Sequence, residues 1–272
     1  MVAQFPVYVS VNPWQFDHLT KSDGLASNVV VDMVQDSIGF WWLATDNGLQ
    51  RFDGKHFTTF AHDPADPGSL PSDVVNAVWI DGINRLWVAT SQGVCRYDAV
   101  SGKFSPVPAD SGVIHTHSPT RYFRDSSGGE WLITAVFDGI YRYDAELDVW
   151  KQAVKDVNVL SGAFAEPASG NIWFVYKHGL GLLERATSEV WLSGKRPEKH
   201  PLFRQAARPA VLTLDSQHKL WVTYLAPGSP FFQVLTYDLK TGVTATQNHI
   251  FKSERIVFRE DSRHRLWFFS GD

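Results

Sequence analysis

The stretch DSIGFWWLATDNGLQRFDG, residues 36–54, decides the fold because the chain repeats it. Close copies begin at Asp81 (DGINRLWVATSQGVCRYDAVSG) and Asp125 (DSSGGEWLITAVFDGIYRYD), and weaker copies begin at Ala168, Asp215 and Asp261. A period of about 45 residues, rich in short strand-forming runs, is typical of a radial β repeat. One tryptophan marks each copy: Trp42, Trp87, Trp131, Trp173, Trp221 and Trp267.

Each copy opens with a turn. In five copies an aspartate stands six residues before the tryptophan, and Asp favours tight turns because its short side chain accepts backbone N–H bonds. The position three residues before each tryptophan holds glycine, asparagine or histidine, which tolerate positive φ better than most residues. We therefore predict one left-handed turn position, used six times, at Gly39, Asn84, Gly128, Gly170, His218 and His264.

The residues that follow each turn form apolar runs, such as FWWLAT, RLWVAT and NIWFVY. Runs of this kind fit a strand buried on both faces, so we expect the tryptophans of the first three copies to be buried. A glycine turn, a strand ending in RFD or RYD, and a further strand such as HFTTF at 56–60 complete the unit. The sequence therefore predicts an all-β fold, a β-propeller of four-stranded antiparallel blades with about 45 residues in each blade.

The first copy resembles the two-component regulator propeller repeat, whose pattern is roughly G-L-x-x-N-x-V, then D-x-x-G-x-L-W, then T-x-x-G-L-x-R-Y-D. The resemblance is strong over three copies and looser afterwards, and it covers essentially the whole chain. The matching residues of the first copy are Gly24, Leu25, Asn28, Asp36, Gly39, Trp42, Thr45, Gly48, Leu49, Arg51, Phe52 and Asp53.

We interpret residues 1–272 as one propeller segment. Residues 1–23 are expected to supply the outer strand of the closing blade, at WQFDHLT, 14–20, as members of the family often do. Because a seven-bladed ring needs roughly 315 residues, the chain is expected to be part of a longer protein. The predicted full blades are 24–60, 70–109, 113–153, 155–194 and 205–247, with a partial blade at 253–272.

Composition and charge exclude several classes of function. The net charge of −4 and the pI of about 6.2 give no basic surface for nucleic acid. No apolar run reaches the roughly 18 residues of a membrane span, so we expect contact with a membrane only through segments outside this chain. The one cysteine, Cys95, excludes an internal disulfide and is interpreted as a buried structural thiol.

The sequence offers little for metal binding or catalysis. His115 and His117 stand two residues apart, but no third ligand is evident, and a solvated loop is the favoured interpretation. The Pro-interrupted acidic residues of 63–73 match no calcium loop. No nucleophile elbow, phosphate loop or zinc signature is present, so we expect neither a metal, nor a cofactor, nor a catalytic residue.

The propeller topology places the connectors between blades, and the loops between second and third strands, on one face around the central channel. We call this the connector face. Arginines near the starts of inner strands would give it donors for an anionic or sugar ligand, although ordinary surface charge is the favoured interpretation of these residues. The predicted ligand-binding residues are His117, Arg121, Arg208 and Arg255; Lys177, His178, Arg204 and Tyr224 lie on the same predicted segments.

The resemblance implies a periplasmic, ligand-sensing propeller of a membrane-bound bacterial signalling protein. In that family a β-sandwich linker, a membrane helix and a histidine kinase or diguanylate cyclase commonly follow, the ligands are often glycan fragments, and the full-length form is expected to be a homodimer. Two alternatives stay open from the residues alone: a propeller lyase-type enzyme, which would need a concentrated His/Glu site, and a protein-interaction scaffold.

Overall fold

A computed structural model describes residues 18–114, 120–134, 139–155, 157, 159–205, 209–226, 228–251 and 256–270. These residues form five four-stranded antiparallel sheets and one two-stranded sheet, and the sheets are not closed into a ring. Neighbouring strands within each sheet follow the chain order. The predicted all-β meander is therefore confirmed. The stretch 14–20 falls mostly outside the described residues, so its closing strand stays a prediction.

The strands have the following bounds. Sheet 1 holds β1 (Val30–Gln35), β2 (Trp41–Thr45), β3 (Gly48–Phe52) and β4 (Phe57–Phe60), and sheet 2 holds β5 (Val75–Ile80), β6 (Leu86–Thr90), β7 (Gly93–Asp98) and β8 (Lys103–Pro106). Sheet 3 holds β9 (Arg121–Arg124), β10 (Glu130–Thr134), β11 (Gly139–Asp144) and β12 (Val149–Val154). Sheet 4 holds β13 (Val159–Ala165), β14 (Ile172–Tyr176), β15 (Gly179–Leu183) and β16 (Val190–Leu192). Sheet 5 holds β17 (Pro209–Leu214), β18 (Lys219–Leu225), β19 (Phe232–Asp238) and β20 (Thr244–Phe251), and sheet 6 holds β21 (Ile256–Glu260) and β22 (Leu266–Ser270).

In the residues that the structure describes, helices occur only in short connectors. A 3₁₀ helix covers Lys21–Asp23, a second covers Pro197–Lys199, and the five-residue helix α1 covers Pro201–Gln205. The helix α1 buries Leu202 and Phe203 against sheets 4 and 5, so the connector between these sheets contributes to the core. None of the helices in the described ranges has the length and apolar character needed to cross a membrane.

The core lies between neighbouring sheets. The second strands of the sheets lie at the centre of this core. Every residue of β6 and of β14 is buried, as the apolar runs predict. Trp42, Trp87 and Trp131 are each at most 4% exposed, which confirms their predicted burial. Trp267, in the last described sheet, is 48% exposed. One continuous cluster joins sheet 2 to sheet 3 through Trp79, Trp87 and Trp150, whose rings meet at 5.4–6.3 Å between centroids.

The turn between the second and third strands has a backbone reason for its glycine. Gly139 has a φ of +105°, and a Cβ at this position would lie 2.0 Å from the carbonyl oxygen of Val154 on the outer strand. The hydroxyl of Thr134, the last residue of β10, donates to the Gly139 carbonyl at 3.4 Å. The glycine therefore permits the close approach of the third and fourth strands of this sheet.

Candidate functional site

The turn that opens each sheet is a polar anchor built from one carboxylate. In sheet 1, Asp36 accepts backbone N–H bonds from Ile38, Gly39 and Phe40 through Oδ1. The six predicted left-handed positions all have positive φ, from +60° to +105°, so this part of the turn is confirmed. In five sheets the second carboxylate oxygen accepts the indole N–H of the repeat tryptophan. The bonds are Trp42–Asp36 (2.8 Å), Trp87–Asp81 (2.7 Å), Trp131–Asp125 (2.8 Å), Trp221–Asp215 (2.7 Å) and Trp267–Asp261 (2.9 Å).

Sheet 4 keeps this bond with a different acid. Its turn lacks the aspartate, and Glu166, seven residues before Trp173, accepts the indole N–H at 2.5 Å through Oε1. The longer side chain reaches across the extra residue, so the interaction survives where the sequence pattern does not. The six-residue spacing of Asp and Trp was visible in the sequence, but the bond between their side chains was not predicted.

The arginine of the R-Y-D ending also has a structural role. Arg51, Arg96 and Arg142 stand opposite the repeat tryptophans of their sheets in the pairing of second and third strands. Their guanidinium carbons lie 5.3–5.8 Å from the centres of those indole rings, a cation–π distance. The Asp, Trp and Arg positions that recur in the repeat therefore stabilise the sheets themselves. The polar residues outside these positions are the first candidates for ligand binding.

Of the four predicted ligand-binding residues, the structure describes one. Arg121 is the first residue of β9, the inner strand of sheet 3, and its side chain is exposed. His117, Arg208 and Arg255 lie outside the described residues, as does His115 of the weighed metal pair, so their roles stay predictions. Whether the four converge on one channel mouth is therefore likewise a prediction.

An acidic residue that the sequence did not single out lies near Arg121. Asp32, on the inner strand β1, accepts the Val78 N–H of the inner strand β5 at 3.0 Å and the Met33 N–H at 2.9 Å. Burial raises the pKa of Asp32, while these two hydrogen bonds and the positive charge of Arg121 act in the opposite direction. The carboxylate that joins the inner strands of sheets 1 and 2 thus lies within the electrostatic influence of Arg121 on the inner strand of sheet 3.

Other residues of the predicted connector face take structural or surface positions. Tyr224, near the end of β18, is buried and its hydroxyl donates to Gln233 at 2.9 Å. Lys177 and His178 form the exposed turn between β14 and β15, and Arg204 is exposed in α1. Of these residues, the exposed Lys177, His178 and Arg204 are the ones that present donors to solvent.

The described residues were compared with two kinds of catalytic centre, a metal site and a Ser–His–acid triad. In the described ranges, no three His, Cys, Asp or Glu side chains are grouped to hold a metal ion. Ser216, Glu260 and His264 meet between sheets 5 and 6, with the serine hydroxyl 2.7 Å from His264 Nδ1 and 2.5 Å from Glu260. Since Glu260 also approaches Nδ1, at 3.2 Å, serine and carboxylate share one ring nitrogen and cannot form the two-sided relay of a Ser–His–acid triad.

No family model matches the chain. Over 55 residues the chain is 40% identical to Histidine kinase P4 of Formosa agariphila, a match that spans 20% of this chain and 4% of the kinase.

The solved structures that are similar over most of the chain include two extracellular domains. The first is the extracellular domain of BT3049 of B. thetaiotaomicron, assigned to the hybrid two-component systems, with a TM-score of 0.67 and 20% identity over 95% of this chain and 34% of that one. The second is the extracellular domain of BT4673 of the same organism, with a TM-score of 0.51 and 16% identity over 89% of this chain and 38% of that one.

These similarities, together with the five four-stranded sheets, define the fold as a β-propeller segment of the kind found in the extracellular domain of the hybrid two-component system BT3049. The resemblance stated from the repeats is confirmed at the level of fold. The chain spans little more than a third of either structure and a small part of the kinase, and identities of 20% and below concern the fold alone.

Proposed function

We propose that this chain forms part of the ligand-sensing propeller of a membrane-bound bacterial signalling protein, a sensor histidine kinase or a diguanylate cyclase, on the periplasmic side of the membrane. The observation that carries the proposal is the fold match to the BT3049 extracellular domain over 95% of the chain. The 40% identity to a histidine kinase over 55 residues supports it independently of the structure.

The proposed ligand is a glycan fragment or another small molecule rich in hydroxyl or carboxylate groups, bound at the connector face. Arg121 and Asp32, which are both carried by inner strands, are proposed to supply a donor and an acceptor there. Hydroxyls can bridge such a pair, since each one donates and accepts a hydrogen bond. His117, Arg208 and Arg255 are proposed as further contacts from neighbouring sheets.

The bond between Asp32 and Val78 indicates how binding would be communicated. It ties β1 directly to β5, so a ligand that engages Asp32 or Arg121 would change the packing of adjacent inner strands. In a homodimeric full-length receptor, a change in ring geometry would be passed towards the membrane. The segment itself is proposed to bind without chemical turnover.

Calorimetry tests this proposal directly. The complete extracytoplasmic region is titrated with glycan fragments, and Arg121→Ala is compared with Arg263→Ala, an exposed arginine in the opening turn of sheet 6. Loss of one hydrogen bond to a charged donor is worth about 1.5–3 kcal/mol, so Arg121→Ala should weaken binding roughly 10-fold or more.

Three results would count against the proposal. Equal binding by both variants would remove Arg121 from the site. Turnover of a bound glycan would favour the lyase-type enzyme, and high-affinity binding of a protein with no small ligand would favour the scaffold.

A further inference from the structure

Two neighbouring grooves share a pair of hydrogen-bond donors but differ in one acceptor. Both lie at the end of the sheets that carries the opening turns, opposite the connector face. In the groove between sheets 2 and 3, Asp148 accepts Arg96 Nη2 at 2.6 Å and the Tyr143 hydroxyl at 2.5 Å. Arg96 also donates to the Tyr143 oxygen at 3.4 Å. One carboxylate thus joins the third-strand arginine of one sheet to the third-strand tyrosine of the next.

The groove between sheets 1 and 2 contains the same two donors, Arg51 and Tyr97, in the same register. The Arg51 guanidinium carbon lies 5.8 Å, and the Tyr97 ring centre 5.0 Å, from the centre of the Trp42 ring. In the next groove, the equivalent arginine and tyrosine stand 5.3 and 5.1 Å from the ring of Trp87. Both grooves therefore bring an arginine and a tyrosine of adjacent sheets to one tryptophan ring.

The acceptor differs because sheet 2 has glycine where sheet 3 has Asp148. Gly102 and Asp148 each directly precede the first residue of the fourth strand, and their φ values are +70° and +54°. A Cβ at Gly102 would have no heavy atom within 4 Å. The space that an aspartate side chain would enter from this turn is therefore open.

The two donors of the first groove have no hydrogen-bond acceptor in the part of the chain that the structure describes. Arg51 lies over the Phe40 and Trp42 rings, at 4.7 and 5.8 Å, and this cation–π contact takes up none of its five N–H donors. The side chains of Arg51 and Tyr97 are partly exposed, so a ligand can reach them from solvent. A guanidinium and a phenol are suited to a carboxylate, as the contacts of Asp148 show.

The groove beside these donors has a volume of about 450 Å³, which is in the range of small-ligand sites. Its lining includes Tyr97, the Trp42 ring over which Arg51 lies, and two apolar turn residues, Ile38 and Val100. Ile38 is 79% exposed and Val100 is 98% exposed. These two side chains offer apolar contact to a ligand whose carboxylate reaches the donors.

Two carboxylates that line the groove are engaged in their own turns. Asp36 accepts the indole N–H of Trp42 at 2.8 Å and three backbone N–H groups. Asp98 accepts the Val100 N–H at 2.8 Å and the Ser101 hydroxyl at 3.0 Å. Neither of them pairs with Arg51.

The other grooves between four-stranded sheets lack one of the two donors. Between sheets 3 and 4 the tyrosine position holds Leu183, and between sheets 4 and 5 the arginine position holds Leu182. Of the four grooves between complete sheets, the first is therefore the one that combines both donors with an open acceptor position.

We propose that the groove between sheets 1 and 2 binds a small ligand with one carboxylate and an apolar body. The ligand carboxylate takes the place that the Asp148 carboxylate has in the next groove, and it accepts hydrogen bonds from Arg51 and Tyr97. The apolar body lies against Ile38 and Val100. This inference does not rest on the sensor role, because it concerns the opposite end of the sheets and other residues.

Three probes separate the parts of this chemistry. Hexanoate carries both the carboxylate and an apolar chain, hexanamide has nearly the same shape without the charge, and acetate lacks the chain. Calorimetric titration of the full chain should show binding of hexanoate, with hexanamide and acetate at least 10-fold weaker. No binding of hexanoate, or binding of either control probe as tight as that of hexanoate, would overturn the proposal.

Variants of the donors locate the site. Tyr97→Phe keeps the ring and removes the hydroxyl, and Arg51→Gln removes the guanidinium. Each should weaken hexanoate about 10-fold or more, since each removes a hydrogen bond to a charged group. Arg263→Gln, an exposed arginine in the opening turn of sheet 6, should leave the affinity unchanged. Wild-type affinity in Tyr97→Phe and Arg51→Gln would overturn the proposal.

Gly102→Asp tests the comparison between the two grooves, because it supplies the carboxylate from the protein itself. The variant should fold, since Asp148 adopts the same left-handed conformation in the equivalent turn. It should weaken hexanoate at least 10-fold. It should also unfold at a higher urea concentration than Gly102→Asn, and this difference should disappear when Arg51→Gln and Tyr97→Phe are added to both variants. Wild-type affinity for hexanoate in Gly102→Asp, or equal urea midpoints of Gly102→Asp and Gly102→Asn, would overturn the proposal.

Discussion

Replacement of Asp81 by alanine is the sharpest test of how the repeat holds each sheet together. The Asp81 side chain has no exposed surface. Its carboxylate accepts the indole N–H of Trp87 at 2.7 Å, the Arg85 Nε–H at 2.5 Å, and the backbone N–H groups of Ile83 and Arg85 at 3.0 and 2.9 Å. Alanine removes the acceptor for all four donors at once.

The expected loss follows from how far each donor can return to water. Trp87 is 0% exposed, so its N–H stays buried without a partner, which costs about 1–3 kcal/mol. The two backbone N–H groups each lose a bond worth about 0.5–1.5 kcal/mol net, and they recover part of it from solvent at the turn. Arg85 is partly exposed and regains water. We expect Asp81→Ala to lower the free energy of unfolding by about 3–5 kcal/mol.

Asp261→Ala is the matched control. Asp261 accepts the same set of bonds, from Trp267 Nε1 at 2.9 Å and from Arg265 Nε at 2.7 Å, but its side chain is 24% exposed and Trp267 is 48% exposed. Urea unfolding followed by tryptophan fluorescence measures both variants. Asp81→Ala should shift the midpoint strongly and Asp261→Ala only slightly. Equal shifts, or no shift for Asp81→Ala, would refute the role of burial in this anchor.

Four further predictions concern the scaffold. Trp131→Ala should cost roughly 3–5 kcal/mol in the same assay, because it empties a fully packed site between sheets; an unchanged midpoint would contradict the packing. Gly139→Ala should destabilise several-fold more than Gly39→Ala: both have a φ of +105°, but only Gly139 has a backbone oxygen where the Cβ would stand, so equal losses would contradict the steric argument. Burial opposes ionisation of Asp125, but its hydrogen bonds and the charge of Arg185 lower its pKa overall. Its contribution to the free energy of unfolding is therefore complete above the unfolded pKa of about 3.9 and is lost as the pH falls through the lower folded pKa. Asp125→Asn should make stability less dependent on pH below about pH 4, and an unchanged pH dependence would contradict this. Cys95 is 0% exposed and burial raises its pKa, so a thiol reagent should label it only on unfolding, and rapid labelling of the native chain would disprove its burial.

The fold was predictable because each repeat shows both the residue types of a turn and an apolar run at a constant spacing from it. The left-handed position before each tryptophan follows from residue types alone, as Asn84 and His218 show with φ values of +66° and +63°. The burial of Trp42 follows from an apolar run at a fixed place in the period. The helix α1 was not predicted, since five residues give no helical periodicity and its packing on two sheets decides its conformation.

The candidate sites were less predictable because they depend on contacts between sheets. In the sequence, nothing distinguishes Asp32 from other polar strand residues. In the structure, β1 and β5 lie side by side, and the Asp32 carboxylate accepts the Val78 N–H. In the sequence, Gly82 is a departure from the serine that follows the aspartate in the other opening turns. In the structure, the Arg124 guanidinium of the next sheet lies where a Cβ of residue 82 would stand. The sequence shows this single departure from Asp-Ser, but the contact that explains it comes from a neighbouring sheet and is visible only in the structure.

The most direct test of the central claim is the signalling output of the full-length protein in membrane vesicles, measured as phosphoryl transfer or cyclic dinucleotide synthesis while glycan fragments are added. We expect that one class of fragment changes the output and that Arg121→Ala shifts the response to at least 10-fold higher ligand concentration. Arg263→Ala should respond as the wild-type protein does. An output that ignores every fragment bound by the propeller, or a full response in Arg121→Ala, would contradict it.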